Sequence, residues 1–154
     1  MGKILFLADI HGNMPAIQAL EQEIEKIQPD EIWFLGDAVG KGPENDQAVD
    51  WVRSHCYQFI KGNWDGYVCN TYRTGENSRE NSFYCEQLGK ERINWLENLP
   101  LEGAIGEEKP SAIRCEILSI PYDNQLAADI ARHYPELPNM QAYQKEVLTG
   151  VYSR

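Results

Sequence analysis

Short apolar segments alternate with helical patterns at the start of the chain, and this alternation constrains the fold more than any other feature. The apolar segments span 3–8, 31–35 and 56–60, and each is short enough to be a buried strand. Amphipathic patterns at 17–27 and 44–54 separate them. Because short links join strand, helix and strand in turn, the sequence predicts right-handed βαβ units and a parallel sheet.

The first of these helices carries its own boundary signals. Asn13 is a predicted N-cap, and Pro15 suits the first helical turn. The residues Gln28-Pro29-Asp30 then end the helix. The sequence therefore predicts both ends of this helix as well as its apolar face.

The rest of the chain is less regular. Its polar stretch 71–82, rich in Asn, Glu, Arg and Ser, predicts a surface loop. After it, the sequence predicts a helix over 83–99, a connector over 101–112, an edge-type strand over 112–120, a helix from Asp123 to His133, and a helix over 140–148 that Gly150 ends. The predicted fold class is α/β, with a parallel sheet flanked by helices.

Polar side chains follow each of the three predicted parallel strands. Asp9 and His11 follow the first strand, Asp37 the second, and Asn63 and Asp65 the third. Because ligands bind at the carboxyl ends of strands in open α/β sheets, these residues are expected to converge on one crevice. Carboxylate, imidazole and amide groups suit Mn²⁺, Fe²⁺, Zn²⁺ or Mg²⁺. Taken singly they could be turn and cap residues; taken together they favour metal or phosphate binding.

Three residues in or beside the second and third motifs can each be interpreted in two ways. Trp64 either packs near the site or stacks on a substrate. Asp65 either orients a ligand or caps the helix that follows. Lys41 lies in a glycine-rich loop and either meets a substrate phosphate or is an ordinary loop residue.

The three polar motifs resemble those of a known family. D-x-H at 9–11, G-D-x-x-x-x-G at 36–42 and G-N-x-D at 62–65 are similar to motifs of the calcineurin-like metallophosphoesterases, especially their small bacterial phosphodiesterase-like branch. The resemblance covers roughly residues 3–70. It implies that Asp9 and His11 bind one metal ion, that Asp37 bridges two, and that Asn63 binds the second.

The sequence also departs from the family pattern. Trp64 stands where the family commonly has histidine, and Trp cannot act as a general acid. The family's His-Gly and Gly-His-x-His motifs are absent from 70–154, where His133 is the single histidine. The resemblance implies that an internal segment is missing near the 101–112 connector. The expected fold is therefore a reduced form of the family's two-sheet αββα sandwich.

The resemblance implies one domain over 1–154. Residues 1–70 would form the metal-site half, 71–82 a polar loop, and 83–154 a helix, a strand and the C-terminal helices. A shortened second sheet would leave apolar surface on the first sheet, and a homodimer is one way to cover it.

Two functions of different classes follow from the resemblance. The first is a metal-dependent phosphoesterase in which metal-activated water hydrolyses a phosphomonoester or phosphodiester. Its expected ligands are Asp9, His11, Asp37 and Asn63, which with Asp65 form the candidate catalytic set. Its cofactors would be one or two divalent ions, Mn²⁺ or else Fe²⁺, Zn²⁺, Ni²⁺ or Mg²⁺, and its substrate a phosphorylated small molecule or nucleotide. The alternative is a catalytically degenerate binding or interaction module.

Charge and composition narrow the partners. The chain has 14 Lys and Arg against 24 Asp and Glu, a formal net charge of −10. This balance argues against binding to nucleic-acid duplexes and to anionic membranes. The N-terminal apolar stretch is too short for a signal peptide, and the four cysteines form no CxxC pair, so reduced thiols and a cytoplasmic location are expected.

Overall fold

The computed structural model describes residues 2–76, 78–104 and 114–151, and the side chains of 78–80 are outside the description. Its elements are, in chain order, β1 (Ile4–Leu7), α1 (Met14–Ile27), β2 (Glu31–Phe34), α2 (Asn45–His55), β3 (Gln58–Phe59), α3 (Asn63–Thr74), α4 (Ser78–Glu97), α5 (Asn124–Ala131) and α6 (Met140–Thr149). The predicted α/β fold class is confirmed.

The three strands form one parallel sheet in the order β1-β2-β3. In its register Phe6 lies opposite Trp33, and Phe34 lies opposite Phe59. The carboxyl ends of all three strands therefore meet at one edge of the sheet, and the loops that follow them are brought together there.

Helix α1 begins and ends where its sequence signals predict. The Asn13 side chain accepts a hydrogen bond from the Ala16 N–H at 3.3 Å, and the following turn contains Pro15. Gln28 adopts a left-handed conformation and closes the helix. The helix buries Pro15, Ile17 and Leu20 against the rest of the fold.

The core lies between the sheet and the helices. Ile32 and Phe34 of β2 are buried, and α4 packs against both α2 and α3. Gly89 bends α4 at φ 65°, a left-handed conformation that glycine adopts without strain. On either side of the bend Leu88 and Ile93 are buried.

The predicted loop at 71–82 is wrong. Helix α3 continues through Thr74, and α4 begins at Ser78. Thr71 and Asn81 are both buried, and the Asn81 amide donates to the Thr71 hydroxyl at 3.3 Å. Polar side chains thus form a hydrogen bond inside a helix–helix contact, and the polar composition of the segment does not predict that they are buried.

The predicted strand at 112–120 is also wrong over its described part. Residues 114–120 form no strand, and Ile117 is 98% exposed. An alternating pattern needs a neighbouring strand to donate and accept hydrogen bonds, and none of the described residues provides one to this segment. Residues 112–113 and most of the 101–112 connector lie outside the described residues.

The two C-terminal helices agree with the sequence. The Asp123 carboxylate accepts a hydrogen bond from the Leu126 N–H at 2.8 Å and caps α5, although the helix ends at Ala131 before His133. Gly150, at φ 68°, ends α6. Helix α5 packs against α1 and α6, so this part of the chain returns to the first βαβ unit.

One face of the sheet is only partly covered. Phe6 is 44% exposed and Leu35 is 42% exposed, and with Trp33 and Gln58 they line a cavity of about 150 Å³. The described residues contain one sheet, so no second sheet covers this face within them. Among the described residues, no helix has the length and hydropathy needed to span a membrane.

The four cysteines are free thiols in the structure, with Cys56 and Cys69 buried, Cys85 half-buried and Cys115 exposed. Burial raises the pKa of Cys56 to about 12 and that of Cys69 to about 11, which leaves both thiols protonated at neutral pH.

An ion pair between α2 and α4 predicts a pH dependence of stability. Arg92 donates to both carboxylate oxygens of Asp50, at 2.9 and 2.6 Å, and this bonding lowers the pKa of Asp50 below its ordinary 3.8. The stabilisation is present above the ordinary pKa and is lost as the pH falls through the lowered one. Because Asp50 is half-exposed, we expect Asp50→Asn to cost less than about 1 kcal/mol at neutral pH.

Urea unfolding at several pH values checks this expectation. The difference in free energy of unfolding between the native chain and Asp50→Asn should shrink as the pH drops below 3.8. Arg92→Gln should show the same trend. A difference that stays constant from neutral to acid pH would contradict it.

Candidate metal centre

The loops after β1 and β2 are joined by their backbones. The N–H groups of Asp9, His11 and Gly12 donate to the carbonyl oxygens of Gly36, Asp37 and Ala38 at 3.0, 3.1 and 3.0 Å, respectively. This short ladder continues beyond the end of the sheet. It brings the first two polar motifs side by side, as their positions at strand ends predict.

Three candidate ligands have unusual backbone conformations. Asp9, His11 and Asp37 have φ of 57°, 49° and 62°, in the left-handed region that L-residues rarely adopt. Each such residue costs on the order of 1 kcal/mol or more. A cost repeated at three neighbouring side chains has to be offset by the surrounding contacts, and it is typical of functional sites.

The side chains of these three residues converge. Each of them offers a ligand atom, and these atoms lie within 4.8 Å of one another. His11 Nε2 is 3.3 Å from Asp9 Oδ1 and 4.0 Å from Asp37 Oδ2. The Asp9 side chain is 68% exposed and that of Asp37 is 9% exposed, so the cluster is open to solvent on the Asp9 side.

The second nitrogen of His11 gives the clearest test of whether a cation fits. Nδ1 lies 2.9 Å from the Val39 carbonyl oxygen, which can only accept, so Nδ1 carries the proton of this hydrogen bond. In the neutral ring Nε2 then presents a lone pair toward the carboxylates of Asp9 and Asp37. Two carboxylate oxygens and one imidazole nitrogen this close together form a donor set that suits a divalent metal.

Asp65 does not belong to this cluster but supports it. Its carboxylate is fully buried and accepts hydrogen bonds from the N–H groups of Gly62, Asp37 and Ala38 at 2.9, 2.9 and 3.0 Å. Burial raises the pKa of Asp65, although the backbone N–H groups partly oppose that shift. Asp65 therefore connects the start of α3 to the loop that carries Asp37, and its bond from the Gly62 N–H caps α3, one of the two roles that the sequence left open.

The third motif approaches the cluster through the first turn of α3. The Trp64 N–H donates to Asp37 Oδ1 at 2.8 Å and orients this carboxylate. Asn63, the first residue of α3, has an exposed side chain next to this contact. The Trp64 ring packs edge-on to His11, with centroids 5.9 Å apart, and covers Gly40 so closely that a Cβ there would overlap it.

Sequence reasoning missed two residues that shape the glycine-rich loop. The buried Asn45 side chain accepts from the Gly40 N–H at 2.7 Å and donates to the Gly42 carbonyl at 2.9 Å. Gln87 of α4 accepts from the Asn45 amide and donates to the Pro43 carbonyl. The position of Asn45 at a helix start after glycines was an available signal. Gln87, 42 residues further along the chain, gave none.

The sequence also singled out Lys41, His55 and His133. Lys41 Nζ is 3.6 Å from Glu146 Oε2 of α6. His55 stacks on Trp51 at the end of α2, with centroids 4.6 Å apart. His133 is exposed after α5. Neither of these histidines joins the cluster, as their positions on predicted helices suggest.

A family model described as calcineurin-like phosphoesterase matches residues 2–139. The chain belongs to this family. The chain is also similar to a solved metallophosphoesterase from Sphaerobacter thermophilus, with a TM-score of 0.59 and 30% identity over 69% of this chain and 44% of that one.

Curated relatives of this calcineurin-like phosphoesterase include symmetrical bis(5'-nucleosyl)-tetraphosphatases. The protein from Erwinia tasmaniensis is 26% identical over 144 residues, which cover 89% of this chain and 52% of the relative. The protein from Pectobacterium atrosepticum is 28% identical over 102 residues, which cover 62% and 36%, respectively. The chain thus spans about half the length, or less, of these relatives.

The buried carboxylate of Asp65 predicts a stability defect that a surface acid does not share. In Asp65→Asn an amide NH₂ group would face backbone N–H donors, and we expect a loss of about 1–3 kcal/mol in the free energy of unfolding. Glu25→Gln removes the same charge from an exposed position on α1 and is the matched control. Denaturant unfolding measures both, and equal stability of the two variants would contradict the role given to Asp65.

Proposed function

We propose that the chain is a metal-dependent phosphoesterase in which Asp9, His11 and Asp37 hold a divalent cation. The observation that carries the proposal is the Nε2 atom of His11, which faces two carboxylates while Nδ1 is committed to the Val39 carbonyl. Membership of the calcineurin-like phosphoesterase family supports the same chemistry.

The residues of the chain divide the work. A divalent cation, when bound, lowers the pKa of water and neutralises charge on a phosphoryl group. Asp37, whose Oδ1 receives the Trp64 N–H, keeps its Oδ2 toward His11 and is the proposed bridging ligand. Asn63, exposed at the start of α3, is the proposed ligand of a second ion. Asp65 acts as a positioning residue through the backbone of the Asp37 loop.

Mn²⁺ is the cation we propose first, with Fe²⁺, Zn²⁺, Ni²⁺ and Mg²⁺ as alternatives. The mixture of carboxylate oxygens and one imidazole nitrogen suits borderline and hard ions and does not select among them. One or two ions per site are compatible with the proposed ligands.

The proposed substrate is a phosphorylated small molecule, and among these a nucleotide. Relatives named as bis(5'-nucleosyl)-tetraphosphatases support this class. With a net charge of −10, the protein repels an anionic substrate at long range, so a bound cation is the natural source of phosphate attraction.

A catalytically degenerate binding module is the second candidate. Two observations favour it: Trp64 offers no ionisable group where the family commonly has histidine, and the family's later histidine motifs are absent from 70–154. Such a module would bind the cation or a phosphate through Asp9, His11 and Asp37 without turnover.

Hydrolysis of a generic aryl phosphodiester in the presence of Mn²⁺ tests the first candidate. We expect Mn²⁺-dependent activity in the native chain and a loss on the order of 100-fold in Asp37→Asn, because the proposed bridging ligand is weakened. Glu25→Gln should retain activity. Equal rates in the native chain and Asp37→Asn would contradict the proposal.

Thermal unfolding separates the two candidates. Mn²⁺ at about 100 times its Kd should stabilise the native chain by about 2.7 kcal/mol and raise its Tm, and Asp37→Asn should lose most of that rise. A rise that depends on Asp37 without hydrolysis would favour the binding module. The absence of any rise in the native chain would contradict both candidates.

The partly covered sheet face supports a further proposal, a homodimer. Phe6, Trp33 and Leu35 form an apolar patch on the partly covered face of the sheet, and the same face of a second copy would bury it. We expect sedimentation to show a dimer at micromolar concentration and Phe6→Ser to shift it toward monomer. A monomer at all concentrations would contradict the dimer.

The cytoplasmic location expected from the sequence stays a prediction.

A further inference from the structure

A groove of about 410 Å³ lies between α1 and the segment that leads into α5. We call it the α1 groove. Its apolar lining consists of Pro15, Ala19, Pro121, Tyr122 and Leu126, and its polar wall carries the amides of Gln18 and Gln22. This volume is within the range of about 300–1,000 Å³ that is typical of small-molecule clefts.

The α1 groove is tied to the metal-binding loop by a direct hydrogen bond. The Asn13 amide donates to the Tyr122 hydroxyl at 3.2 Å, and Asn13 follows His11 by two residues. Pro15 lies four residues after His11, so their Cα atoms are at most about 14 Å apart even in a fully extended chain. A ligand in the groove is therefore close enough to place an attached phosphate at the cluster.

The charge of the lining restricts what the α1 groove can hold. None of the described residues that line it is Lys or Arg, and Asp123 adds a carboxylate at one end. A phosphate group would be repelled there and would gain no ion pair. The groove thus suits a neutral group, with the phosphate directed away from Asp123 and toward the cation site.

The chemistry of the lining matches a nucleobase. The half-buried Tyr122 side chain supplies an aromatic ring on which a base can stack, and the exposed Leu126 side chain adds apolar surface beside it. Gln18 and Gln22 are both exposed, lie four residues apart on one face of α1, and each carries donors and an acceptor for the edge of a base.

We propose that the α1 groove binds the nucleoside portion of the phosphorylated substrate. The identification of the bound nucleoside as part of a substrate rests on the proposed function. The binding of the nucleoside itself needs neither metal nor turnover. The proposal makes Tyr122, Gln18 and Gln22 specificity-determining residues for a reaction carried out at Asp9, His11 and Asp37.

Binding of free nucleosides tests the proposal independently of hydrolysis. Adenosine, guanosine, cytidine and uridine carry no phosphate, and saturation-transfer NMR with the metal-free protein detects millimolar binding. We expect at least one nucleoside to bind, ribose alone not to bind, and Ala19→Trp to weaken the nucleoside about tenfold by filling the groove. Glu25→Trp places the same ring at an exposed position of α1 outside the groove lining and should bind normally.

A second pair of variants protects the test against a folding defect. Tyr122→Phe keeps the ring and loses the bond to Asn13, and it should retain nucleoside binding. Tyr122→Leu loses the ring and should bind about tenfold more weakly, as expected for one base–aromatic stacking contact. The native Tm in each variant confirms that the groove is intact.

The outcomes separate the two proposals. No nucleoside bound by the native chain, or equal binding in Ala19→Trp and Glu25→Trp, would overturn the α1 groove as a nucleoside site. Nucleoside binding that depends on Ala19 and Tyr122, together with no Mn²⁺-dependent hydrolysis, would support the groove and contradict the phosphoesterase.

Discussion

The rest of the site depends on the hydrogen bonds that the buried Asp65 carboxylate accepts from backbone N–H groups. The donors lie in the Asp37 loop and at Gly62, so the carboxylate connects the second strand end to the third. In the same turn, the Trp64 N–H orients Asp37. A buried carboxylate is stabilised only when its lone pairs are satisfied, so these hydrogen bonds hold the Asp37 loop and the start of α3 together.

The loops themselves carry backbone conformations that only a rigid surrounding can maintain. Asp9, His11 and Asp37 have backbone φ angles in the left-handed region although none of them is glycine. The hydrogen-bonded ladder between the two loops and the Asn45 amide on the glycine-rich loop supply the opposing stabilisation. The same network keeps the side chains of Asp9, His11 and Asp37 close together, which is the arrangement that the proposed cation site requires.

Hydrophobic periodicity predicted the elements whose burial follows a regular pattern. The three parallel strands and α1 fall within a few residues of their predicted places because apolar spacing determines which face is buried. Polar composition misled at 71–82, where Thr71 and Asn81 bury polar groups that satisfy each other, and alternation misled at 114–120, which has no partner strand among the described residues. Both failures depend on contacts that local sequence does not contain.

The candidate site was predictable to a similar depth. Asp9, His11 and Asp37 could be placed together because strand ends of a parallel sheet meet at one edge. The supports could not: Gln87 reaches the glycine-rich loop from α4, and Tyr122 reaches Asn13 across 109 residues. These contacts join residues that are far apart in the sequence, so they depend on tertiary packing and cannot be predicted from short motifs.

The pairing of Lys41 with Glu146 has a kinetic consequence. Lys41 stands on the glycine-rich loop, but its ammonium group lies 3.6 Å from a carboxylate of α6, which offsets its positive charge. Two carboxylates, Asp9 and Asp37, stand in the cluster of a chain whose formal net charge is −10. Under the proposed function, this negative charge would attract a cation and would repel an anionic substrate until a cation is bound. The electrostatics thus favour an order of addition, with the metal ion first and the anionic ligand second.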